Sequence, residues 1–168
     1  MLKLLVFTLL ASQAAADPAT CKSLADRLPG RLVFADRVSR TTYEDDQPGY
    51  GYGVQYRATG QVLTVFFYDL GRAHFSAASQ REILDTSIDA AADSLGDGGF
   101  RLNTLDRGQR DGAVHYTAQG TDTADFAQFF GAGAVDGCFL KIRYTAKAPY
   151  AGAALNFTNV LDAIDRIY

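Results

Sequence analysis

The seven residues Val62–Tyr68 constrain this chain more than any other stretch. Val62, Phe66 and Tyr68 alternate with Leu63, Val65 and Phe67, so both sides of the run are apolar. A strand exposed on one face alternates apolar with polar, whereas one buried on both faces does not. The run therefore reads as the central strand of a sheet with helices on both faces. Phe66 and Phe67 are expected to be buried on opposite sides of it.

Its surroundings supply the rest of a sheet. Val38–Tyr43 and Tyr50–Arg57 read as strands, separated by the turn residues Asp45-Asp46-Gln47-Pro48-Gly49; Ala58-Thr59-Gly60 leads from the second into the central strand. In the second strand Tyr50, Tyr52, Val54 and Tyr56 share one side and Gly49, Gly51, Gly53, Gln55 and Arg57 the other. The tyrosines then make a core face, with the glycines fitting under a packed helix; the other reading of Gly49–Tyr52 is a contact surface, where the glycines let a ligand or partner backbone approach the tyrosines. Phe100–Leu105 and Ala113–Gln119 read as a hairpin around residues 106–112, and Cys138–Thr145 as a further strand.

Helices are expected at three places. Pro18, following Asp17, opens one that stops at Leu28-Pro29-Gly30, with Cys21, Leu24 and Leu28 on one face. Ser76–Leu95 carries a stripe of Leu84, Ile88, Ala91 and Leu95. Ala151–Tyr168 sets Leu155, Val160, Leu161, Ile164 and Ile167 largely on one side. The segment 121–133 reads either as a short amphipathic helix or as an irregular covering loop. The sum is an α+β fold, an antiparallel sheet of about six strands covered by helices, in one domain over residues 17–168.

The first sixteen residues are of another kind. Lys3, the apolar run Leu4–Ala11 and the Ala14-Ala15-Ala16 site have the order of a signal peptide cleaved before Asp17. The apolar run is too short for a spanning helix, which wants about 18 residues or more. A periplasmic or secreted location follows, with no transmembrane segment in the mature chain. In such a compartment the only two cysteines, Cys21 and Cys138, read as a disulfide.

Chemistry is harder to find. The net charge of −3 disfavours nucleic acid as a partner, and no motif for a metal or cofactor is present. Neither Gly-x-Ser-x-Gly nor His-Glu-x-x-His occurs, and the two histidines, His74 and His115, stand far apart in sequence. Binding is therefore favoured over catalysis, the alternative being a small hydrolase that pairs one histidine with an aspartate such as Asp69.

Two candidate binding sites emerge. Lys141 and Arg143 share one side of their strand, with Phe139; if that strand pairs with 113–119, His115 joins them in a cationic patch for a small anionic ligand or an envelope protein. Phe126, Phe129 and Phe130 are the other set, expected to line a pocket under the 121–133 segment.

Three short segments also carry a resemblance. Gly51-Tyr52-Gly53-Val54-Gln55-Tyr56, Tyr68-Asp69-Leu70-Gly71 and Lys141-Ile142-Arg143-Tyr144-Thr145 resemble segments of uncharacterised exported bacterial proteins. The order of strands and helices is similar to that of PsbP-like domains. The likeness spans most of the mature chain and implies a fold and an accessory role, with no catalytic residue to transfer.

Overall fold

The computed structural model describes residues 18–71, 81–86, 106–121, 126–148 and 151–168. It contains β1 (Arg31–Leu32), β2 (Ala35–Thr42), β3 (Tyr52–Ala58), β4 (Gln61–Tyr68), β5 (Asp106–Gln109), β6 (Val114–Thr121), β7 (Phe126–Val135) and β8 (Cys138–Lys147). The helices are α1 (Pro18–Arg27), the helical residues 81–86 as α2, and α3 (Ala153–Ile167). The fold is α+β. One antiparallel sheet runs in the order β1-β2-β3-β4-β8-β7-β6-β5. Two four-stranded meanders, each sequential, thus meet where β4 pairs with β8 from Gln61↔Ala146 to Tyr68↔Phe139.

Eight strands replace the expected six, for identifiable reasons. β1 is only a two-residue stub against β2. β7 takes the part of the ambiguous 121–133 region from Phe126 onward, where the chain is neither helix nor loop. Its sequence, Phe-Ala-Gln-Phe-Phe-Gly-Ala-Gly-Ala-Val, is buried on both sides, so no alternation marks it. Gly131 explains part of that composition: a Cβ there would stand 3.3 Å from Leu161 of α3 and 3.1 Å from Val114. The expected 100–105 strand and most of the 76–95 helix lie outside the described residues. The hairpin strand that is described begins where a turn was expected, at Asp106, and turns over residues 110–113.

The main core lies on one face. There Leu63, Val65 and Phe67 of β4 align with Tyr56, Val54 and Tyr52 of β3 and with Tyr144, Ile142 and Leu140 of β8. α1 adds Cys21 and Leu24, with Leu28 just past its end, and α3 adds Phe157, Val160, Leu161 and Ile164. Their spacing in α3 is three, one and three residues, which makes a single stripe. Leu155 falls off it and is 64% exposed, against expectation. Phe157 takes the inward place, its ring centroid 5.3 Å from Phe129.

Both terminal helices meet on this face. The Tyr168 hydroxyl donates to the Leu24 carbonyl at 2.6 Å, and its ring meets Phe67 edge-on at 5.3 Å. The Cys21–Cys138 disulfide joins α1 to the start of β8, across 117 positions of sequence. α1 and α3 therefore share one face, and the 76–95 helix, which was expected to help cover the sheet, lies mostly outside the described residues. Phe67 is fully buried while Phe66, on the other face, is only half-buried. Among the described residues, no helix is long and apolar enough to cross a membrane.

Candidate functional site

The half-covered face of β4 carries the most distinctive surface. Phe66 and Tyr68 project there, opposite Lys141 and Phe139 of β8. Next to them in β3 stands Gly53, paired with Phe66. A Cβ at Gly53 would lie 3.2 Å from the Tyr43 ring and 3.3 Å from the Phe66 ring. The bare backbone lets both rings settle over the strand, their centroids 6.3 Å apart. Tyr43, Tyr50, Phe66, Tyr68, Leu70 and Lys141 border a cleft of about 420 Å³. That volume falls in the range of small-molecule sites, about 300–1,000 Å³.

The rim is built by a loop that its own carboxylate holds shut. Glu44 accepts from the Gly49 amide at 3.0 Å and from the Gly51 amide at 2.6 Å. Such charge-assisted bonds are the stronger kind. Gly49 in turn accepts from the Leu70 amide at 2.8 Å, tying the loop to the end of β4. Gly51 has φ +73°, and a Cβ there would collide with the Phe67 carbonyl at 1.8 Å. Only glycine fits. This bend also ends the tyrosine alternation. Tyr52 and Tyr56 keep the core face, but Tyr50 lies before the strand, is 57% exposed and joins the cleft. The glycine partner at Gly53 is accordingly a pair of aromatic rings and not a helix.

Asp69 anchors the far side of the rim. It is buried, and its carboxylate accepts from the Gly71 amide at 2.8 Å, a local turn in which Leu70 adopts φ +56°. That turn pushes Leu70, 39% exposed, out over the cleft.

Lys141 is the one ionisable group of the basic strand segment that enters the cleft. It is half-buried, and burial pushes its ammonium below the usual lysine range, with Arg143 adding like-charge repulsion. Arg143 shares its face but is exposed and does not border the cleft. The expected third member, His115, is not beside them: β7 lies between β8 and β6. The His115 side chain and all of His74 lie outside the described residues.

The phenylalanine pocket is not formed as expected. Phe129 faces the main core, stacked on Tyr144 at 5.4 Å, and is buried. Phe130, one residue on, points to the opposite face beside Arg143 and is buried there. Phe126 is half-buried near the other end of β7. A strand separates adjacent side chains by construction, so Phe129 and Phe130 cannot line one hole.

A second hollow, about 460 Å³, lies near the start of α3 between Gln61, Lys147 and Asn156. Its polar groups answer each other: Gln61 Oε1 accepts from the Tyr144 hydroxyl at 2.5 Å and from Asn156 Nδ2 at 3.3 Å. Among the described residues no group of three or more His, Cys, Asp or Glu side chains is placed to hold a metal ion.

Of the site residues, the sequence picked out Lys141 and missed Tyr43, Tyr50, Phe66, Tyr68 and Leu70 as its companions. The signal for two of them was present in the polarity of β4, where Phe66 and Tyr68 share a side. Bringing them to Lys141 requires the β4–β8 pairing, which joins residues more than seventy apart. Compared with protein-family models, curated proteins and solved structures, the chain matches none.

Proposed function

We propose that the chain is an exported binding protein that works through the aromatic cleft and takes a small, flat, largely apolar molecule. The observation that carries this reading is the combination of exposed rings with a fixed rim. Tyr43 and Tyr50 are 37% and 57% exposed, yet the Glu44–Gly49–Gly51–Leu70 bonds hold the loop that bears them. A preformed apolar hollow loses little freedom on binding, which favours affinity. Tyrosines add amphipathic contact area at low entropic cost.

Export rests on two supports. Residues 1–16 have the signal-peptide order, and both cysteines are consumed in one buried disulfide, as an oxidising compartment favours. The periplasm or the exterior is the location proposed, and an accessory role of the PsbP-like kind is part of the same proposal.

The test is direct. Titration of the purified protein with the neutral fluorophore N-phenyl-1-naphthylamine should give saturable binding that Phe66→Ala and Tyr50→Ala each weaken at least fivefold. N-terminal sequencing of the exported product should begin at Asp17. Binding unaffected by either substitution would remove the cleft from consideration.

A further inference from the structure

Resting on that reading, we infer that the ligand is an amphipathic anion: a flat apolar body in the aromatic cleft, with one acid group held by Lys141. The argument begins with what surrounds this side chain. In register, Lys141 stands between Phe66 of β4 and Ala132 of β7, with Phe139 and Arg143 two residues away on its own strand. None of these is acidic. The ion pairs among the described residues are Lys22–Asp26, Arg31–Asp36, Arg40–Asp26 and Arg110 with Asp162 and Asp165. No carboxylate among the described residues reaches Lys141. The cation–ring contact among the described residues is Arg27 over Tyr168, at the other face of the sheet from Lys141.

A half-buried ammonium usually has a counter-charge, because removing it from water is costly without one. Here the nearest like charge makes matters worse. Arg143 lies about 7 Å along the same face by the usual strand rise. The chain has more acidic than basic residues, 19 against 16, yet no acidic residue among those described reaches Lys141. Ala132, its register partner in β7, contributes only a methyl group beside Lys141. An anion arriving from solution would supply the missing charge, and the exposed Arg143, two residues along the same face, would add longer-range attraction.

The remaining walls decide what kind of anion this is. Tyr43, Tyr50, Phe66, Tyr68 and Leu70 offer rings and an isobutyl group. Small inorganic anions would leave those surfaces wet and gain nothing from them. An aromatic or similarly flat body bearing a carboxylate or sulfonate uses both halves of the site.

A matched pair of probes tests this separately from the cleft itself. 8-Anilinonaphthalene-1-sulfonate and N-phenyl-1-naphthylamine share one ring system and differ by a sulfonate. With the full exported chain, the sulfonate is expected to bind at least tenfold more tightly than the neutral probe. Lys141→Met should abolish that preference, and Lys141→Arg should retain part of it. Thermal melts of both variants show that each is folded. Equal affinity of the two probes, or a preference that survives Lys141→Met, overturns the anion assignment and leaves the cleft standing. Binding of neither probe, or binding indifferent to Phe66→Ala, overturns the cleft and the assignment together.

Discussion

Removing the disulfide tests how the two ends of this chain are held together. The bond closes a loop spanning 117 positions, from α1 to the first residue of β8. In the chain-entropy treatment a loop of this length restricts the unfolded chain by about 16 cal/mol/K, or about 5 kcal/mol at 25 °C. Small domains have a total stability of about 5–15 kcal/mol, so the bond is a large share of it. The native state should change little. Leu24 and Leu28 are 2% exposed, and the Tyr168 hydroxyl still reaches the Leu24 carbonyl, so α1 keeps its seat without the bond. The perturbation is the double substitution Cys21→Ala, Cys138→Ala, read by urea unfolding followed by circular dichroism. The expected result is native-like helix content, a stability lower by about 4–5 kcal/mol and a Tm lower by about 10–20 °C. A stability change under about 1 kcal/mol, with the wild-type bond confirmed by mass, would refute the entropic reasoning. Loss of the α1 signal in the folded variant would refute the claim that packing seats this helix.

Three further outcomes follow from the same structure. Phe67→Ala should cost about 3–5 kcal/mol, being fully buried, and Phe66→Ala only about 1–2 kcal/mol, being half-buried; equal losses in denaturant midpoint would contradict this difference in burial. Gly51→Ala should destabilise by more than about 2 kcal/mol, since it combines a left-handed φ with a Cβ against the Phe67 carbonyl; a melting temperature within two degrees of wild type would show that the loop is not locked. Burial pushes the Tyr56 phenol up to about 12, with its hydroxyl donating to the Pro29 carbonyl at 2.8 Å. Between pH 10 and 12 the unfolded chain therefore ionises this group and the folded one does not. Stability should fall by about 1.4 kcal/mol per pH unit from this residue, and a Tyr56→Phe protein with an identical alkaline slope would exclude it.

What the sequence made legible was local. The alternation in Val62–Tyr68 placed Phe66 and Phe67 on opposite sides, and Cys138–Thr145 announced β8 with Lys141 and Arg143 on one side. The leftover cysteine pair named its own partner. β7 was not legible, because it is buried on both sides and mixes glycine and alanine with phenylalanine, so no apolar–polar period marks a strand. The order of the strands was not legible either, since β4 and β8 come together only through the long connection from residue 69 to 105, most of which lies outside the described residues.

The misplacement of Tyr50 shows why the site was harder to read than the fold. Alternation assigned it to the core with Tyr52 and Tyr56, and alternation is sound only while φ stays extended. Gly51 breaks that condition, and the pattern of the letters is the same whether it does or not. What fixes the bend is the Glu44 carboxylate reaching two amides five and seven residues ahead, together with the close approach of the Phe67 carbonyl. The cleft is thus assembled from three non-local events: a loop folded back on its own carboxylate, a strand end turned at Asp69, and β8 arriving beside β4 to deliver Lys141. Each leaves a residue in the sequence with a plain structural meaning taken alone, a turn acid, a buried aspartate, a strand lysine. Only their convergence on one face, with a cation that no described carboxylate answers, turns those residues into a site.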